Sequence, residues 1–243
     1  LMCYRFMEAA LVTAAIQGGL YYLTLVDGFS GTEVLFYVLV MGTVLGAATL
    51  LVLPAWWQFF RIHRPRVNTN VVCGTVCALG ALAPLVLLAG THLLPAPLGF
   101  LAYCACLQVS LSGMTFWRMI AMGWLIDEDC QKCQGRRREA VYVGAISLIS
   151  SSGRALAIAA VLNGLAWAGL QMANCEEECG ADDACARACD RRNSEEQPPA
   201  VALYVRSLYF GVVPVLQLAV AWLAYTFPIH GERLEAIVRG QAA

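Results

Sequence analysis

A chain of 243 residues that is 59% hydrophobic and 14% charged falls well below the roughly 25% charge of soluble domains. An ordinary soluble globule is excluded, and a formal net charge of −1 gives no basis for nucleic-acid binding. Six apolar stretches, each near or above the ~20 residues that cross a bilayer, predict an all-α membrane protein with six transmembrane helices in one bundle over residues 1–243.

In chain order, the first stretch is Phe6–Val26. It follows Arg5 and lacks a small-residue cleavage end, so it reads as a span and not as a removable signal peptide. Leu1 stands where an initiator methionine would, so the natural start is expected to lie upstream. Asp27-Gly28 turns the chain into the second stretch, Val34–Phe60. There Gly42 and Gly46, one helical turn apart, would let another helix approach closely, and read equally as ordinary small residues of a membrane helix. The third stretch, Val71–Leu94, follows Pro65, and the fourth, Leu98–Ile126, follows Pro95-Ala96-Pro97. The fifth, Ala140–Ala173, follows Gly135, and the sixth, Ala200–Phe227, follows Pro198-Pro199.

Loop charges set the topology. Arg5, the group Arg61, Arg64 and Arg66, the group Lys132 and Arg136 to Arg138, and Arg233 with Arg239 share one side if the spans alternate, and that side is cytoplasmic. Asp27, Glu33, His92 and the acidic 174–197 loop take the other. Both termini of the segment are therefore expected inside.

Between the fourth and fifth stretches lie Asp127, Glu128 and Asp129, then Arg136, Arg137 and Arg138. Opposite charges at the two ends of a short connector suit ion pairing, and these six residues are the candidates for a cytoplasmic gate. Arg118 is expected to snorkel to the inner interface. Arg154 differs, because it lies fourteen residues into its stretch, about 20 Å from the inner end at ~1.5 Å per residue. An arginine at that depth is costly in lipid, which points to a polar cavity or a partner.

The outer loop holds Cys175, Cys179, Cys185 and Cys189 in a C-x3-C-x5-C-x3-C pattern around Gly180. Cysteines four apart share a helix face, so two short antiparallel helices could carry the nested disulfides Cys175–Cys189 and Cys179–Cys185. An oxidising outer compartment favours disulfides, with a thiol-rich zinc site as the rival. Cys130 and Cys133 form an inner C-x2-C pair that reads as solvated thiols or a metal or redox pair. Cys3, Cys73, Cys77, Cys104 and Cys106 read as small packing residues. No phosphate-cradling glycine loop, metal-binding histidine pair or nucleophile motif points to an enzyme, and no resident metal or cofactor is expected.

Three segments carry a resemblance: Gly135-Arg136-Arg137-Arg138-Glu139-Ala140-Val141-Tyr142, Pro54-Ala55-Trp56-Trp57, and Tyr225-Thr226-Phe227-Pro228-Ile229-His230-Gly231-Glu232-Arg233-Leu234 after Pro214. In order and spacing they resemble the glycoside–pentoside–hexuronide:cation symporters of the major facilitator superfamily, of which melibiose permease is the familiar member. That resemblance implies the second six-helix bundle of a twelve-span carrier. Its partners would be a preceding six-helix half or a second subunit, the lipid bilayer and a small solute. Coupling to a sodium ion or proton is also implied, with the cation carboxylates mainly in the first bundle. The family's sugar-stacking aromatic falls on Trp117, which equally reads as a packing residue. Its polar face in the fifth span maps through Ser147 to Ser151, with Ser151 where melibiose permease has lysine. Gly144, Ser147, Ser151 and Arg154 then form one polar helical stripe, the candidate solute path. A carrier of a sugar or related organic solute in the plasma membrane is the leading reading. A lysophospholipid carrier, and a non-transporting receptor with a stapled outer loop, are the alternatives.

Overall fold

The computed structural model describes residues 1–29, 31–63, 67–86, 88, 96–133, 138–180 and 182–241. Among them the chain is helical with no strand: α1 Met2–Leu25, α2 Gly31–His63, α3 Thr69–Gly80, α4 Ala96–Lys132 and α5 Glu139–Trp167 come first. Then follow α6 Cys175–Cys179, α7 Asp183–Glu195, α8 Pro199–Ser207, a π-helical turn at Leu208–Val212, α9 Val213–Tyr225 and α10 Gly231–Gln241.

Among the described residues, four helical segments are long and apolar enough to cross a membrane: Thr69–Val86, Leu98–Lys132, Glu139–Trp167 and Pro199–Tyr225. Helices α1 and α2, of 24 and 33 residues, occupy the two remaining apolar stretches. With 37 residues, α4 is about 55 Å long, well beyond a ~30 Å hydrocarbon core, so it carries its acidic end clear of the apolar layer.

Several boundaries differ from the sequence expectation, α4 among them, which runs to Lys132 and so takes Asp127, Glu128 and Asp129 into helix. The fifth helix stops at Trp167 and not Ala173, because Gly169 adopts φ +87°, a left-handed conformation that only glycine takes without strain. The third helix breaks into a turn at Ala81-Leu82 before resuming toward Val86, and residues 89–95, with His92, lie outside the described residues. The last span contains its π turn just before Pro214, whose missing N–H leaves the Phe210 carbonyl without its α-helical donor.

α1 is the hub. It packs on α5 along one side and on α8, the π turn and α9 along another, while α9 also packs on α3, and α4 lies against α2 and α3. Residues Ser150, Gly153, Ala157, Val161 and Leu165, at helical spacing, are the buried face of α5. At Gly153 an added Cβ would sit 2.5 Å from the carbonyl oxygen of Phe6, so this glycine sets how closely α1 and α5 approach. Gly42 and Gly46, by contrast, have nothing within 4 Å among the described residues. The core centres on Leu11, Tyr103, Met114, Trp117, Tyr209 and Val213, all at most 1% exposed.

Candidate functional site

At the C-terminal end of α4 the three acids take separate directions, as consecutive helical residues must. Asp129 accepts from Arg138, with Nε to Oδ2 at 3.1 Å and Nη2 to Oδ1 at 3.2 Å, a two-point contact across the α4–α5 connection. The Arg138 guanidinium also meets the Cys133 thiol. Glu128 instead accepts from Lys132 at 2.9 Å and, at two points, from Arg233 of α10, with Nε to Oε1 and Nη2 to Oε2 both at 2.9 Å. Gln131 donates to the Ile237 carbonyl at 2.9 Å, so α10 is fastened to α4 twice. Asp127 lines a cavity of about 370 Å³ with Trp57, Arg61 and Trp124. Arg136 and Arg137 lie outside the described residues. Of the proposed pairings, Asp129 with Arg138 is present, and Arg233 is a partner that sequence spacing did not indicate.

Arg118 pairs with a buried acid near the N-terminal end of α1. Its Nη1 donates to both oxygens of Glu8, at 2.8 and 2.9 Å, and Arg5 Nη1 donates to the same carboxylate at 2.7 Å. Glu8 is 2% exposed, and a carboxylate so deeply buried persists because two guanidinium groups satisfy it. Alongside, the Tyr4 hydroxyl donates to the Met114 carbonyl at 3.2 Å and its ring lies 4.6 Å from that of Trp117. Trp117 Nε1 donates to Asn70 Oδ1 at 2.8 Å, and the Asn70 amide donates onward to the carbonyls of Phe227 and Ile229 at 3.2 and 3.3 Å. One polar network therefore links α1, α4, α3 and the segment after α9. Glu8 and Asn70 were not picked out from the sequence, although an acid at the third position of the apolar stretch Phe6–Val26 is a legible signal.

The path candidates divide into two places. Trp117 is 0% exposed and held in that network. Ser147, Ser151 and Arg154 lie with Gly144 on an exposed surface of α5. Arg154 Nη2 donates to Ser150 Oγ at 3.2 Å, and Ser150 itself faces inward at 1% exposure. Leu148, 70% exposed, flanks the same surface, so Arg154 and the two serines form a polar stripe beside apolar, uncovered helix surface.

On the opposite end α6 and α7 form a hairpin closed by Cys175–Cys189 and Cys179–Cys185, with Cα separations of 5.6 and 5.5 Å. Gly180, at φ +57°, makes the turn between them. Asn193 clasps Ala173 through both its backbone groups, accepting at 2.9 Å and donating at 3.0 Å, so the hairpin is fixed to the end of α5's connection. Cys73, Cys77 and Cys104 are buried as packing residues, whereas Cys3 and Cys106 are exposed. Asp27, after α1, is half-buried, and burial pushes its carboxyl up to about 6 against the pull of Arg206.

Long apolar helices with charge gathered at their ends define an α-helical integral membrane protein. The family model for MFS/sugar transport proteins matches residues 1–231, and the chain belongs to that family, within the major facilitator superfamily. No curated protein and no protein of solved structure matches the chain.

Proposed function

We propose that the chain is one six-helix wall of a secondary active transporter that moves a sugar or related organic solute by alternating access. A second bundle, from a preceding half or another subunit, supplies the facing wall. The observation that carries this reading is the uncovered face of α5, where Ser147, Ser151 and Arg154 lie exposed beside apolar residues. An arginine at that depth is tolerated against a polar cavity or a counter-charge and not against lipid. In this arrangement the Asp129–Arg138 and Glu128–Arg233 pairs act at the cytoplasmic end. They are exposed enough to contribute little to folding, and their function is to favour one conformation of the connector over another.

The resemblance to melibiose permease adds cation coupling, by sodium ion or proton, and a plasma-membrane location with both ends of the segment inside. The test is uptake in proteoliposomes containing this chain with its preceding half, using melibiose and lysophosphatidylcholine under separate sodium and proton gradients. Gradient-driven melibiose uptake is the expected result. Uptake of lysophosphatidylcholine alone would reassign the solute, and absence of any uptake would favour a receptor displaying the stapled hairpin.

A further inference from the structure

The last span is built in two parts that are held unequally, and the π turn Leu208–Val212 lies between them. On one side α9 is bonded to two neighbouring helices along its length. Gln217 Nε2 donates to Ser110 Oγ of α4 at 2.6 Å, Cys77 Sγ of α3 donates to the Gln217 carbonyl at 3.4 Å, and the Tyr225 and Thr75 hydroxyls share a bond of 2.7 Å. Gly80 of α3 tightens that contact, because an added Cβ there would overlap both Ser110 and Gln217. On the other side α8 buries Val201 and Val205 and bonds to α5 through Tyr204 Oη, which donates to the Ala160 carbonyl at 3.2 Å.

The turn itself is seated on α1. Tyr209 Oη donates to the Ala15 carbonyl at 2.6 Å, and a Cβ on Gly18 would come within 3.3 Å of Leu208 and Tyr209. The turn is closed by Val213 N–H donating to the Leu208 carbonyl, one residue wider than the α-helical ladder, and Pro214 has no N–H to close the next α-helical bond. Proline and π turns are the usual places where a helix bends. Before α8, the hairpin is fastened to the segment after α5: Asn193 clasps Ala173, and Gln171 N–H donates to Gln197 Oε1 at 3.1 Å.

We propose that Leu208–Val212 is a hinge kept open by Pro214, about which α8 and the stapled hairpin swing together with the hairpin end of α5 while α9 stays fixed on α3 and α4. A pivot seated on α1, a firmly bonded base and a lightly bonded arm are what such a hinge requires. A swing of about 15° moves the far end of the nine-residue α8 by about 3 Å. The motion lets α5, which carries Ser147, Ser151 and Arg154, shift without unseating α9. Only this use of the motion rests on the transport reading; the hinge itself is tested without solute.

The test is pulsed electron spin resonance on the purified full chain in lipid nanodiscs, with spin labels carried on noncanonical amino acids so that the cysteines stay intact. Ala200 of α8, Ile158 of α5, Val71 of α3, Val215 of α9 and Leu85 in the resumed turn after α3 are exposed label positions. The Ala200–Leu85 distance distribution, taken across the hinge, is expected to be wider by about 3 Å than the Val71–Val215 distribution between α3 and α9. The Ala200–Ile158 distribution should be as narrow as Val71–Val215. Pro214→Ala supplies the missing N–H and should narrow Ala200–Leu85 to that reference width. Gly211→Ala, where an added Cβ meets nothing within 4 Å, should narrow it in the same direction and decides the matter if the proline variant does not fold. No excess width in the wild type, excess width retained in the folded variants, or an Ala200–Ile158 distribution as wide as Ala200–Leu85 would each overturn the hinge. If the widths behave as expected and reconstituted uptake is absent, the transport reading fails and the hinge stands.

Discussion

Glu8 of α1 and Arg118 of α4 are joined by two hydrogen bonds, at 2.8 and 2.9 Å, although no stretch of sequence shorter than 110 residues connects them. Arg5 shares the same carboxylate, so removing Glu8 would strand two guanidinium groups. Breaking a buried pair from one side typically costs about 3–5 kcal/mol. Glu8→Gln is therefore expected to lower the unfolding midpoint of the purified protein sharply, and Glu8→Gln with Arg118→Met to recover part of the loss. Equal midpoints for wild type and Glu8→Gln would show that the pair is not structural.

Gly153 and Gly144 lie on the same helix and make opposite predictions. A Cβ at Gly153 meets the Phe6 carbonyl at 2.5 Å, whereas one at Gly144 meets nothing within 4 Å. Gly153→Ala should destabilise by about 1–3 kcal/mol through overpacking of α1 on α5. Gly144→Ala should be neutral or stabilise by up to about 1 kcal/mol through helix propensity. Thermal unfolding of the two variants side by side checks the contrast, and similar shifts in both would contradict the α1–α5 packing.

The difference between Gly153 and Gly42 also shows where sequence reading stops. Span order, the inner acidic and basic groups and the cysteine hairpin were legible because apolar length, loop charge and cysteine spacing are local patterns. Which glycines touch another helix is not local, and the spaced pair Gly42 and Gly46 proved to have nothing within 4 Å among the described residues while Gly153 carries the contact. The same limit hid Arg233 as the partner of Glu128, 105 residues away. The counter-charge of Arg118 was hidden in the same way, because Glu8 lies on a different helix.

For the outer hairpin, the Cys175–Cys189 bond closes a loop of sequence separation 14. In the chain-entropy model a loop of about that length gains roughly 3 kcal/mol from a disulfide. Cys175→Ser with Cys189→Ser should loosen α6 and α7 locally, seen as faster hydrogen exchange over 175–195, with exchange in α1 and α4 unchanged. Non-reducing peptide mapping should recover both nested pairs, and four free thiols would refute the pairing.

Asp27 provides a pH signature. Its carboxyl is raised from 3.8 to about 6 by burial, so between those values the folded protein holds a proton that the unfolded chain releases. Stability from this group therefore falls as pH rises from about 4 to 6, with the full penalty above about 6 and none below 3.8. Asp27→Asn should raise the unfolding midpoint at pH 7.5 and leave it nearly unchanged at pH 3.5. An equal shift at both values would show that ionisation of Asp27 is not the cause.

The most direct test of the proposed transport path is solute uptake by the Arg154 series, with the chain reconstituted beside its facing bundle. Arg154→Lys keeps the charge and loses the planar fork, whereas Arg154→Met loses both. Arg154→Met is expected to reduce uptake at least about tenfold, equivalent to ~1.4 kcal/mol in the rate-limiting barrier. Intermediate uptake with Lys would mark charge as the main requirement, and loss equal to that of Met would mark the fork. Wild-type uptake by Arg154→Met would contradict the account and remove this face of α5 from the path.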